Sequence, residues 1–182
     1  NELVSYPRVL ETIDFLLELK KKYSTLRLEF FAHDYFSICP SFNLLNDYTR
    51  FCGIPADLDV CDACLKNNPR GKDFYGDVQR DYPDLRMQNW REAFLSLLIH
   101  CDRVTCFSRS SRDLFVRAYP DLASVIEVAP HQVDWVRRVN LIGSSERKNI
   151  AVLGNITLQK GAEVLVNLAA HLDQVQAPHQ IH

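Results

Sequence analysis

No apolar run in this chain approaches the roughly 20 residues that a membrane-crossing helix requires, and no succession of charged, apolar and small residues marks a secretion signal. The chain is therefore expected to be soluble and cytoplasmic, with a membrane surface as the one membrane contact left open. An excess of positive charge is also missing: 21 Lys and Arg face 23 Asp and Glu, for a net charge of −2. The cations are spread along the chain and form no block, so there is no basic field for a phosphate backbone, and nucleic acid is not expected as a partner. There is no internal repeat, no low-complexity tract and no second Cys-x-x-Cys pair beside Cys61 and Cys64. Without a secretion signal, the 6 cysteines read as thiols or metal ligands and not as a disulfide framework, which favours a reducing compartment.

What is present is enough for a core. A chain of 182 residues with 47% hydrophobic content is one large domain or two small ones. Opening on Asn1 and stopping a few residues after a helix, it reads as an excised piece, with Asn1 to Tyr6 as the turn leaving a strand outside it. Pro7 suits a first helical turn, and the apolar positions Val9, Leu10, Ile13, Leu16 and Leu17 predict an amphipathic helix from Val9 to Lys22, its lysines at the end the helix dipole favours. A strand from Leu26 to Ala32 follows, so strand, helix and strand make a parallel unit. Helix returns from Leu85 to Cys101 with Trp90, Phe94, Leu97 and Leu98 as its apolar stripe and Arg91 and Glu92 outside it. Arg103 to Phe107 is a strand, Ser108 caps a helix running to Tyr119, and Ser124 to Ala129 is a further strand. Lys66 to Pro83, mixed in charge, Gly, Pro and Asn, reads as a surface loop, either a solvated connector or a mobile lid. Asp134 to Lys148, carrying Gly143-Ser144-Ser145, is the best linker. Beyond it a strand (Asn149 to Leu153), a turn at Gly154-Asn155 and a helix (Gly161 to Leu172) begin a second domain that cannot close a core alone. The fold class is α/β.

Three places carry chemistry-bearing residues. The strand ending in Ala32 turns polar at His33-Asp34, and the carboxyl ends of strands in open α/β sheets are where ligands bind. Asp34 there reads either as an acceptor for backbone hydrogen bonds beside a half-buried His33, or as part of a working site with it. The next thirty residues are too irregular to be one element and hold Cys39, Cys52, Cys61 and Cys64. These four could enclose a structural zinc or could be small buried apolar thiols, while Cys101 and Cys106 belong to the core. Ser108 and Arg109, where a strand meets a helix start, are an anion-friendly pair or a plain cap with an exposed arginine. In GNITLQKG, Gly154 to Gly161, a close turn, helix-start amides and the charge of Lys160 suit a nucleotide diphosphate, against the default of a surface lysine. It is neither a P-loop nor a three-glycine dinucleotide fingerprint.

The strand end His33-Asp34-Tyr35, Cys39-Pro40, Asn43-Leu44-Leu45 and the later cysteines, with Phe107 to Ser111 (FSRSS), Val128 to His131 (VAPH) and Ile150 to Gly161 (IAVLGNITLQKG), resemble bacterial glycosyltransferases of the group 1 type. These have two facing Rossmann-like domains, the GT-B architecture. The resemblance implies an acceptor-side Rossmann-like domain over residues 1–142, a linker over 143–148 and the start of the donor-binding domain over 149–182. It implies transfer of a sugar from a nucleotide diphosphate sugar to a hydroxyl of a glycan or glycolipid, as in cell-surface polysaccharide assembly, with no cofactor for catalysis. His33 and Asp34 would serve catalysis by orienting the attacking hydroxyl or taking its proton, with Ser108, Arg109 and His131 as secondary cleft residues. Gly154, Asn155, Lys160 and Gly161 would hold the donor, Asn155 standing where many members carry Arg. The family's two donor-site glutamates, spaced seven apart, would lie beyond His182, so the piece alone is expected to be inactive. Competing readings are a metal-stabilised interaction module and a nicotinamide-dependent oxidoreductase.

Overall fold

The computed structural model describes residues 3, 7–46, 50–68, 71–132, 148–150, 152, 154–157, 160–176 and 179–181. They fall into two compact units, Asn1–Gln132 and Val133–His182. The first unit is α/β, with a small parallel sheet and flanking helices. Helix α1, Val9–Lys22, has the limits its apolar period predicts, and it buries Val9 and Ile13. Strands β1 (Glu29–Ala32), β2 (Arg103–Cys106) and β3 (Ile126–Val128) form a three-stranded sheet in that order. Both pairings are parallel, with Phe31 opposite Thr105 and Cys106 opposite Val128. Asp102 clasps the start of the sheet. Its carboxylate accepts from Leu28 N–H at 2.7 Å and from Lys20 at 2.6 Å, and the lysine hydrogen bond holds that carboxyl below its ordinary range.

The segment after β1 is more regular than expected. Helix α2, Leu58–Asn67, is capped by Asp57, whose side chain accepts from Asp59 N–H, so Cys61 and Cys64 sit on a helix and not in an irregular loop. The predicted surface loop from Lys66 to Pro83 is likewise mostly helical, the end of α2 being followed by α3, Gly71–Asp81. Charge hid it: Arg80 pairs with Asp77 one turn back at 2.9 Å, while Val78 turns inward. Tyr82, just beyond, donates to Glu11 and accepts from Leu10 N–H, fixing the end of α3 to α1.

Helix α4, Met87–His100, is the centre of the core, with Trp90, Phe94, Leu97 and Leu98 buried as their spacing predicts. Asp62 of α2 caps its first amide at 2.7 Å. Arg91 departs from expectation: it is only 9% exposed. Its guanidinium reaches back to donate to the carbonyl of Ile38 and, at 3.4 Å, to that of Ala118. Two further buried side chains do the same for the neighbouring residues. Trp90 Nε1–H donates to Phe36 O at 2.9 Å, and the hydroxyl of Tyr119 donates to Ser37 O. Three consecutive loop carbonyls are thus held from inside, which satisfies backbone groups that would otherwise be buried without partners. Helix α5, Arg109–Ala118, covers the sheet through Phe115, 6.3 Å from Phe30.

The second unit is a strand-helix-strand unit. Strand β4 (Lys148–Ile150) pairs in parallel with β5 (His179–Ile181), and α6 (Ala162–Gln174) lies between them in the chain. The sequence reading had no strand after α6. The apolar period of α6 predicts Ala162, Leu165, Leu168 and Ala169 inward; Ala162, Leu165 and Ala169 are half-buried while Leu168 is exposed. Val164 and Val166 are 68% and 67% exposed. The proposed linker lies outside the described residues apart from Lys148, which opens β4.

Candidate functional site

The three strands deliver three rings to one sheet edge. Extending the β1–β2 register two residues past Phe31 and Thr105 places His33 beside Phe107, the first residue after β2. Their ring centroids are 4.7 Å apart. His131, three residues after β3, stacks on Phe107 with centroids 3.9 Å apart and planes 13° from parallel, and stands 6.2 Å from His33. Phe31, 44% exposed, lies 6.4 Å from Phe107 with its plane 14° from parallel. The result is a cluster of packed aromatic and imidazole rings at the carboxyl edge of a parallel sheet, with His33 and His131 both exposed. His33 is therefore not the half-buried residue of the plain strand-end reading. A cluster of this kind offers stacking to a flat apolar face and two imidazoles for hydrogen bonds or proton transfer.

Asp34 turns the chain immediately below. One carboxylate oxygen accepts from Phe36 N–H at 2.8 Å, as a strand-end cap should. The other, Oδ2, is buried with no hydrogen-bond partner among the described residues. Burial pushes this carboxyl above its ordinary range, against the opposing pulls of the Phe36 amide and the nearby His33. A half-satisfied buried carboxylate costs stability. Because the folded form holds its proton more tightly, this contribution to stability is full below the unfolded carboxyl range and is lost as pH rises through the folded one. Asp34→Asn keeps the acceptor for Phe36. It should therefore gain in thermal stability relative to wild type as pH is raised from acid to neutral, which thermal melts across pH will register. A gap that stays constant with pH would show that Asp34 carries no such penalty.

The other nominated residues divide. Ser108 caps α5, accepting from Ser111 N–H at 3.0 Å. Its hydroxyl lies 3.0 Å from those of Ser110 and Ser111, and the Ser111 hydroxyl is 3.5 Å from that of Tyr35. Arg109 is exposed beside this hydroxyl group. Sequence reasoning named His33 and His131 but not Phe31 or Phe107. The signal was available: Phe31 and His33 alternate on one strand face, and both Phe107 and His131 follow strand ends.

In the second unit Gly154 and Gly161 have φ of +93° and +85°, where glycine is the residue that fits. Gly161 is the N-cap of α6. The carbonyl of Thr157 accepts from the amides of Lys160 and Ala162, at 3.0 and 3.1 Å, and so folds the turn tightly onto the helix start. The Thr157 hydroxyl is buried without a partner among the described residues. Asn155 and Lys160 are both exposed. Thr157 is thus a polar group at this helix start that the motif alone did not single out.

Cys39, Cys52, Cys61 and Cys64 line one cavity of about 370 Å³, together with Leu44, Ile54 and Arg91. No disulfide joins any of the six cysteines. Burial pushes the thiols of Cys39 and Cys61 up, that of Cys61 to about 12. Among the described residues no group of three or more His, Cys, Asp or Glu side chains stands ready to hold a metal ion. Cys106 is fully buried in β2, as a core thiol should be, and Cys101 is half-buried. Among the described residues no helix is long and apolar enough to cross a membrane.

Comparison with known proteins finds no matching family model, no matching curated protein and no matching solved structure.

Proposed function

We propose that the chain is part of a glycosyltransferase of GT-B architecture, which moves a sugar from a nucleotide diphosphate sugar to a glycan or glycolipid hydroxyl. The observation that carries this reading is the pair of exposed imidazoles, His33 and His131, packed on half-buried Phe107 at the carboxyl edge of the sheet. A pyranose presents an apolar C–H face that stacks on such rings, while its hydroxyls take hydrogen bonds from the surrounding imidazoles and serines. His33 accepts the proton of the attacking hydroxyl as the new C–O bond forms at the anomeric carbon. The bond from that carbon to the diphosphate oxygen breaks, and the nucleoside diphosphate leaves with its added negative charge.

The donor end of the reading rests on the α6 helix start. Helix-start amides and an exposed lysine supply positive potential for a diphosphate. The Thr157 hydroxyl, buried without a partner among the described residues, is suited to a phosphate oxygen. Truncating a lysine that meets a diphosphate removes a charge-assisted contact of roughly 1.5 to 3 kcal/mol, about ten- to a hundred-fold in affinity. Lys160→Ala in the full-length protein should show that loss by titration calorimetry and should flatten the salt dependence of binding. Asn155 lacks the charge an arginine would add, so Asn155→Arg should tighten the donor. A panel of nucleoside diphosphates, nucleotide sugars and dinucleotides separates the competing readings. Nucleotide-sugar binding supports glycosyl transfer, dinucleotide binding supports an oxidoreductase, and binding of none supports an interaction module.

A further inference from the structure

The four cysteines of the cavity beside α2 come from three separate stretches: Cys39 from the loop after β1, Cys52 from the turn closing the Leu45–Phe51 bridge, and Cys61 and Cys64 from one face of α2. Residues three apart on a helix share a face, so the last two present their sulfurs in the same direction. All four cysteines line the wall of that one cavity. We propose that Cys39, Cys52, Cys61 and Cys64 form a tetrathiolate site for a single zinc ion, which pins the loop that carries His33.

Three features beyond the cysteines support it. The first is the turn at Cys52. Ile54 N–H donates to Cys52 Sγ at 3.4 Å across Gly53, and both Gly53 and Ile54 have positive φ, +72° and +53°. A β-branched residue in that region is strained and persists where something else fixes the backbone. An amide two residues on, aimed at sulfur, is the hydrogen bond that stabilises a metal-bound thiolate. The second is Arg91. Its guanidinium is buried, lines the same cavity and has no carboxylate partner among the described residues. Four thiolates around a dipositive ion leave two net negative charges, which a neighbouring guanidinium offsets. The third is the segment itself. Phe42 and Leu44 also have positive φ, so the loop holds several costly backbone conformations in a stretch with little regular structure.

The thiols share the wall of the cavity without being closed around a point. Zinc–sulfur bonds of about 2.3 Å require them to move inward, so metal binding should contract the cavity and order the loop. The site stands apart from the sugar-transfer reading, since zinc here would be structural, with all four positions filled by protein.

Elemental analysis of the full-length protein, purified without chelator, should find about one zinc per chain. Cobalt substitution should give the intense bands of tetrahedral cobalt with thiolate charge transfer. Alkylation of the cavity thiols should be slow until a chelator is added, with loop protection from hydrogen exchange falling at the same time. Cys61→Ser should lose zinc while Cys101→Ser, outside the cavity, retains it. If Cys61→Ser does not fold, the metal content and thiol protection of the wild type decide. Substoichiometric zinc with alkylation rates unaffected by chelator, an octahedral cobalt spectrum, or an iron–sulfur chromophore would each overturn the proposal.

Discussion

Trp90→Ala is expected to remove about 3 to 5 kcal/mol of stability, the usual cost of deleting a buried aromatic. That is a large part of the 5 to 15 kcal/mol available to a domain of ordinary stability. The site predicts the upper part of the range because two losses coincide. Trp90 is fully buried against Phe36 and Phe94, with ring centroids 5.0 and 5.1 Å away, and its indole N–H holds the Phe36 carbonyl. Alanine leaves both a cavity and an unpaired carbonyl. Trp90→Phe separates them: most of the packing remains, and the loss should fall to about 1 to 3 kcal/mol, the cost of one buried polar group left alone. Urea unfolding of the two variants measures both. Equal losses would mean that the hydrogen bond, and not the packing, carries the site.

If the proposed glycosyl transfer holds, His33→Ala is expected to lower turnover by about 10²- to 10⁴-fold, the range for removing a general base. Its effect on stability should stay within about 0.5 kcal/mol, as for other exposed positions. The contrast follows from where the residue sits. The imidazole is exposed and touches other rings of the surface, Phe107 and His131, and not the buried core. Phe107→Ala should act differently, weakening acceptor binding because the stack loses its middle ring while the proton acceptor remains. A His33→Ala variant that loses stability and keeps its turnover would return the residue to a structural role.

The elements legible in the sequence were those whose stabilisation is local. The limits of α1 followed from its apolar period and its terminal lysines, and Ser108 was recognisable as a cap because capping is a contact between near neighbours. The Lys66 to Pro83 stretch was misread because its dense charge, Gly, Pro and Asn obscure the helical period of α3. Its order comes from Tyr82 meeting α1 and from an Arg80–Asp77 pair that a composition count registers only as charge. Arg91 was invisible for a related reason: an arginine beside an apolar stripe looks solvated until the carbonyls of Ile38 and Ala118, far away in sequence, come into reach. The candidate site was half legible. Strand ends marked His33 and His131, whereas Phe107 acquires its role only when parallel pairing brings β1, β2 and β3 into register. The shared cavity of the four cysteines could be suspected from their clustering, but Arg91 as its fourth wall could not.

The most direct test of the central claim is release of nucleoside diphosphate from a panel of nucleotide sugars by the full-length protein, with wild type read beside Lys160→Ala and His33→Ala. The account predicts release from at least one donor, a ten- to hundred-fold higher donor requirement for Lys160→Ala, and slow release at saturating donor for His33→Ala. No release from any donor, or release by both variants at the wild-type rate and donor requirement, would contradict it.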